Sequence, residues 1–167
     1  MDTDQARVQA KLDHIRARVA QLRDTGAGGK DAFLGDRVLV DATIRRLQTA
    51  VEAAVDAALH VVVRENLRTP NDDGDAFRLL CQAGVVESSE LPSLLAMVRF
   101  RNRLVHIYAE VDDDAIWQVV DGSLPDLERF VAASASRYID PQTGPHSPRE
   151  VPVEEPRVGA RMDEDAG

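Results

Sequence analysis

The residues most able to do chemistry in this sequence lie close together between positions 99 and 108. Arg99, Arg101 and Arg103 precede His106, and Tyr108 follows two residues after the histidine. A histidine titrates near neutral pH and can remove or return a proton, including the 2′-hydroxyl proton of RNA. A guanidinium can hold a phosphate and stabilise the negative charge that builds up in a transition state. These residue types therefore favour cleavage of RNA.

The spacing within this segment sets a geometric condition. On a helix, Asn102 and His106 share a face, whereas Arg101 lies about 140° from His106. One helix therefore does not bring Arg101 and His106 side by side, but two copies related by a two-fold axis can do so across a cleft. On spacing alone a second interpretation stays open, because arginines on a helix often form a solvated face and a tyrosine just past a helix often only packs.

The other histidines and carboxylates show no spacing typical of a metal site. His14, His60 and His146 belong to no His-Glu-x-x-His pattern, so we expect neither a metal nor a cofactor. The glycines at 26, 28 and 29 are not followed by the Lys-Ser/Thr of a phosphate-binding loop, and we expect them to form an ordinary loop.

Apolar residues recur at steps of three and four along most of the chain, which predicts an all-α fold. The predicted helices are 5–23, 36–67, 75–83, a fourth capped by Ser88 or Ser89 and ending near His106, and a last one capped by Asp112, with Gly122 to Pro125 as a candidate break. Gly84 is expected to be the C-terminal glycine of the third. The second would be about 45 Å long, and its stripe of small apolar residues favours a dimer interface.

Composition and charge exclude several classes of protein. The chain has 167 residues and a formal net charge of −9, which argues against non-specific coating of RNA or DNA but allows a local basic site. Its one cysteine, Cys81, cannot form an intrachain disulfide. The polar amino terminus resembles no signal peptide, and no stretch approaches the roughly 20 apolar residues of a membrane span. We therefore expect a cytoplasmic protein without a membrane partner.

The composition changes near residue 140. Five of the eight prolines lie beyond this point, together with an excess of acidic residues. Such a segment buries too little apolar surface to offset its ordering entropy. We therefore predict a helical domain over 1–140 and a disordered tail over 141–167.

The segment from Arg101 to Tyr108 resembles the Arg-x4-His-x-Tyr motif of HEPN-domain toxins of the HepT type. The resemblance extends to flanking stretches and covers about residues 5–138. These stretches are Arg46-Leu47-Gln48 to Glu52 on the long helix, Ala76-Phe77 to Gly84-Val85 before the motif, and Val111-Asp112 after it.

The resemblance implies an up-and-down helical bundle that forms a two-fold homodimer. It implies a metal-independent endoribonuclease, the toxin of a toxin–antitoxin pair, with Arg101 and His106 catalytic and Asn102 shaping the site. Arg99 and Arg103 lie outside the fixed motif and are candidate RNA contacts.

The implied partner is an MNT-type nucleotidyltransferase antitoxin that transfers AMP to the motif tyrosine, here Tyr108. An alternative from a different class is a non-catalytic HEPN subunit that binds a nucleotide or phosphate within a nucleotidyltransferase complex. A third interpretation, a purely structural dimer partner, would need none of Arg101, His106 and Tyr108.

Overall fold

The helices follow the apolar periodicity of the sequence. The computed structural model describes residues 3–106 and 111–138, and these residues contain no strand. Its helices are α1 (Thr3–Gly26), α2 (Lys30–Gly35), α3 (Arg37–Arg64), α4 (Asp73–Gln82), α5 (Leu91–His106), α6 (Asp113–Gly122) and α7 (Leu124–Tyr138). The all-α prediction is confirmed.

The core lies between α1 and α3, which form the most extensive helix–helix contact among the described residues. The α1 face that turns inward carries Val8, Leu12, Ile15, Val19 and Leu22, all buried. α7 also packs against α1, while α4 and α5 pack against α3. The motif helix α5 is therefore supported from one side by the longest helix of the bundle.

The long helix ends earlier than its pattern predicts. Asp36 caps it by accepting a hydrogen bond from the Leu39 backbone N–H at 3.0 Å. At the other end Asn66 adopts a left-handed φ of 53°, and the Leu67 N–H bonds back to the Val62 carbonyl at 3.1 Å. Asparagine tolerates this conformation better than most residues, so α3 stops three residues before the predicted end at 67.

Two of the three predicted helix boundaries near the motif are confirmed. Gly84 has a φ of 72° after α4, and Asp112 caps α6 by accepting from the Asp114 N–H at 3.2 Å. The predicted cap at Ser88 or Ser89 is wrong. Helix α5 begins at Leu91, so Glu90 occupies the N-cap position, and its carbonyl accepts from the Leu94 N–H.

The short helix α2 is absent from the sequence prediction, which assigned no element to residues 30–35. Six residues are too few to show a helical period. α2 is held instead by Phe33, which is buried and packs on Trp117 with ring centroids 5.5 Å apart. Gly26, expected in the loop, ends α1, where a Cβ would lie 3.3 Å from a methyl group of Val120.

The predicted tail over 141–167 lies outside the described residues, so the domain boundary at 140 stays a prediction. The last described helix, α7, ends at Tyr138. None of the described helices combines the length and the apolar character that a bilayer span requires.

Candidate active site on helix α5

The inner face of α5 carries the motif residue Arg101 and leaves Arg99 and Arg103 on the outside. Leu94, Met97, Val98 and Leu104 are buried against the bundle. Arg101 falls on the same face by helical spacing, and its side chain is only 19% exposed. Arg99 and Arg103 are exposed. The three arginines are therefore not equivalent, although the sequence shows them only as neighbours.

Arg101 forms an ion pair with helix α4. Its Nη2 donates to Asp73 Oδ2 at 2.8 Å, and Asp73 is the first residue of α4. Its Nε is buried and has no acceptor among the described residues. Asp73 was not among the residues that the sequence singled out, because its contact with Arg101 joins positions 28 apart in the chain.

The start of α4 is held firmly in place. Asp72 caps it by accepting from the Asp75 N–H at 2.7 Å. The buried Asp75 carboxylate accepts from both terminal nitrogens of Arg68, at 2.7 and 3.0 Å, and from the Asn71 N–H at 2.8 Å. The Arg68 hydrogen bonds, together with the one from Asn71, lower the pKa of Asp75 to about 2. The loop that leads into α4 is thus tied to its first turn.

A groove of about 460 Å³ runs beside Arg101, between α3, α5 and the α6–α7 junction. Arg99, Arg101 and Arg103 all line it, so it is basic on the α5 side. Phe100 lies in the same wall, and the Arg103 guanidinium carbon is 5.9 Å from the centroid of its ring. A groove lined by cations and one aromatic ring can bind a nucleotide, with its phosphate against the cations and its base stacked on the ring.

A second cavity, of about 390 Å³, lies on the α4 side of α5. The half-buried Asn102 lines it together with Asp72, Asp73 and Arg99. Arg99 therefore borders both cavities. This cavity lies on the helix face that Asn102 shares with the backbone position of His106.

The last turn of α5 is supported by α3. Gln48 Nε2 donates to the Leu104 carbonyl at 3.3 Å. This carbonyl lies in the last described turn of α5. Gln48 belongs to the stretch that resembles the toxin family, and the structure assigns it this contact.

His106 is the last residue of α5 and Tyr108 lies outside the described residues, as does the His106 side chain. The backbone is helical through His106, so its Cα position lies about 140° around the helix from the inward-facing Arg101. A single copy of α5 therefore does not bring positions 101 and 106 to the same side of the helix, as the sequence predicts. In the described residues, no cluster of three or more His, Cys, Asp or Glu side chains is placed to hold a metal ion.

The fold and site define a class of protein: an all-helical bundle in which a histidine-terminated helix carries a half-buried arginine above a basic groove. The model of the HepT-like ribonuclease family matches residues 15–134. This chain belongs to that family.

A relative and several solved structures resemble the chain over most of their length. The mRNA nuclease HepT of Shewanella oneidensis is 35% identical over 121 residues, which are 72% of this chain and 90% of that protein. A tri-AMPylated HEPN toxin of the same organism, solved in complex with an MNT antitoxin, has a TM-score of 0.71 at 29% identity. The match covers 80% of this chain and 97% of that one.

A toxin–antitoxin crystal structure containing AMP-PNP has a TM-score of 0.70 at 29% identity, covering 75% of this chain and 95% of that one. These comparisons confirm the family resemblance drawn from the motif.

Proposed function

We propose that this protein is a metal-independent endoribonuclease that acts as the toxin of a toxin–antitoxin pair in the cytoplasm. The observation that carries the proposal is the half-buried Arg101 beside a basic groove, on the same helix as His106. The relative named mRNA nuclease HepT supports RNA as the substrate.

His106 is the general base in this mechanism. Its imidazole takes the 2′-hydroxyl proton, the 2′-oxygen bonds to the adjacent phosphorus, and the bond to the 5′-oxygen breaks. Arg101 stabilises the extra negative charge on the phosphate. The leaving 5′-oxygen takes a proton from a second imidazolium, that of the other copy in a dimer. The products are a 2′,3′-cyclic phosphate and a 5′-hydroxyl.

The test is RNA cleavage in the presence of a metal chelator. His106→Ala should lose about 10²–10⁴ in rate, and Arg101→Ala about 10²–10³. His14→Ala and Arg16→Ala are matched controls, since both side chains are exposed on α1, and both should remain active. An RNA with 2′-deoxyribose at the cleaved position should resist. A pure, unmodified wild-type protein that cleaves no RNA would favour the non-catalytic, phosphate-binding alternative.

A homodimer would supply the second copy of the motif. Among the described residues, the most exposed large apolar side chains lie on the two helices expected at the interface. They are Val38, Leu59 and Val63 on α3 and Val105 on α5. Wild type should scatter light as a particle of about twice 18.3 kDa. Val63→Asp and Val105→Asp should shift it toward monomer, whereas Ala20→Asp on the exposed face of α1 should not; a monomeric wild type would contradict the shared cleft.

Silencing by an MNT-type nucleotidyltransferase antitoxin is the second part of the proposal. The chain has two tyrosines. Tyr138 is buried, and its hydroxyl donates to Glu65 at 2.7 Å. Burial and this hydrogen bond raise the pKa of Tyr138 above its usual range, and its burial keeps the hydroxyl away from a partner enzyme. Tyr108 is therefore the better acceptor for AMP, and the added phosphate would compete with RNA for Arg101.

This assignment is tested by incubation with the cognate antitoxin and ATP. Wild type and Tyr138→Phe should gain adenylyl groups, detected by intact mass, and should lose activity. Tyr108→Phe should gain none and should escape silencing. Adenylyl groups that map to Tyr138 or to a serine would show that the proposed switch is wrong, even if the nuclease assignment stands.

A further inference from the structure

The partner of Arg101 is a carboxylate that neither the motif nor the family comparison assigns a role. Asp73 Oδ2 lies 2.8 Å from Arg101 Nη2. The Arg101 side chain is 19% exposed and that of Asp73 is 41% exposed. The pair thus differs from the bundle's surface ion pairs, such as Arg23 with Glu128, in which both side chains are about half exposed and which typically contribute little to stability.

Asp73 has a rigid support. It is the first residue of α4, next to the Asp72 cap and two residues from Asp75, which is bonded to Arg68 and Asn71. One turn further on, the buried Phe77 packs edge-to-face on Phe130, with centroids 5.3 Å apart. Because the backbone at Asp73 is fixed, its carboxylate can fix the guanidinium that it binds.

Asp73 contacts Arg101 without lining the basic groove that Arg101 lines. Asp73 lies in the wall of the second cavity, on the α4 side of α5. The groove shared by Arg99, Arg101 and Arg103 opens on the other side, toward α3 and the α6–α7 junction. A guanidinium has five N–H donors, and the contact with Asp73 uses one nitrogen. Because the Nε is buried, the donors left for a phosphate in the groove are the N–H groups of Nη1 and the second N–H of Nη2.

We propose that Asp73 is a positioning residue for RNA cleavage, which holds Arg101 from behind so that its free N–H groups point at the scissile phosphate. The proposal rests on the proposed nuclease function. Preorganised donors act in the transition state without being reoriented during the reaction, and a displacement of about 1 Å can cost about 10² in rate. If Asp73 instead occupied the phosphate-binding position of Arg101, removal of its charge would raise the cleavage rate.

The experiment compares Asp73→Asn with Asp72→Asn in steady-state RNA cleavage. Both variants remove one negative charge from the same helix end, and asparagine at 72 still caps α4. Asp72 lies near Arg78, 3.7 Å away. Asp73→Asn should lower kcat by about 10–100-fold, with KM unchanged or reduced because RNA meets less negative charge. Asp72→Asn should share any change in KM and keep kcat within about twofold of wild type.

Asp73→Glu provides the rescue, because it restores a carboxylate on a longer arm and should recover part of kcat. A purely structural role would instead lower the melting temperature and leave the kcat of the folded protein unchanged. An Asp73→Asn variant with wild-type kcat, or with a higher kcat than Asp72→Asn, would overturn the proposal.

A second measurement does not depend on cleavage. In wild type labelled with ¹⁵N-arginine, rotation of the Arg101 guanidinium about its Nε–Cζ bond should be slow, and Asp73→Asn but not Asp72→Asn should accelerate it. If wild type cleaves no RNA, the nuclease proposal fails, while this measurement still decides whether Asp73 holds Arg101. Equal rotation rates in all three proteins would refute the positioning role.

Discussion

Replacement of Phe77 by alanine tests whether α4 is anchored through its aromatic contact. Phe77 is 1% exposed and meets the fully buried Phe130 edge-to-face, with rings inclined at 75°. Truncation of a buried phenylalanine costs about 3–5 kcal/mol, of which an aromatic pair of this kind contributes about 0.5–1.5 kcal/mol. We expect a loss of about 4 kcal/mol, a large share of the roughly 5–15 kcal/mol that holds a typical domain folded.

Urea unfolding measures this loss through the fluorescence of Trp117, the chain's single tryptophan, which packs on Phe33 in the bundle. The variants are made in a His106→Ala background so that the proposed toxicity does not limit expression, and all are studied at one protein concentration. With a slope of about 2 kcal/mol per molar urea, the midpoint should fall by about 2 M.

Phe100→Ala is the matched control, because Phe100 is only half-buried at the groove. Its loss should stay below about 1.5 kcal/mol, since less apolar surface leaves water on folding. Equal losses for Phe77→Ala and Phe100→Ala would refute the anchoring of α4 by the aromatic pair, and with it the rigid support inferred for Asp73.

Three further predictions concern acid stability, the end of α5 and the tail. Because the pKa of Asp75 is lowered to about 2, below its ordinary value of about 3.9, its contribution to stability is complete above about pH 4 and is lost as the pH falls toward 2. The stability of Asp75→Asn should therefore fall less than that of wild type across this window in urea titrations. Gln48→Ala removes the hydrogen bond to the Leu104 carbonyl; it should cost about 1 kcal/mol and speed hydrogen exchange in the last turn of α5, and unchanged exchange there would contradict the support from α3. Truncation after Asp140 should leave the melting temperature nearly unchanged by calorimetry, because the composition of the tail does not sustain a core; a fall of more than about 5 °C would show that the tail packs on the bundle.

The site was predictable from the sequence to different degrees. The segment from Arg101 to His106 was predicted on a helix, and α5 carries both residues. The family resemblance drawn from the motif is confirmed by the family match over 15–134. The catalytic roles of Arg101 and His106 stay predictions. Asp73 was missed, because an acidic residue in the first turn of a helix is common and indicates nothing by itself.

The sequence by itself determined the local features of this protein. The apolar period of 3.6 residues predicts α1, α3 and α5, and the predicted cap at Asp112 depends on a side chain that bonds to nearby backbone. These interactions join residues only a few positions apart, so the order of residues along the chain is enough to predict them.

Only the tertiary structure decided which of the three arginines is half-buried and what it contacts. The Arg101 contact with Asp73 spans 28 positions, and the Gln48 contact with Leu104 spans 56. Both depend on the rotation and axial position of α5 against α3 and α4, which many packed side chains set together. Helix α2 was decided in the same way, by the packing of Phe33 on Trp117, 84 positions away. Local periodicity carries no information about these registers, because the free energy that selects them is released only when the helices meet.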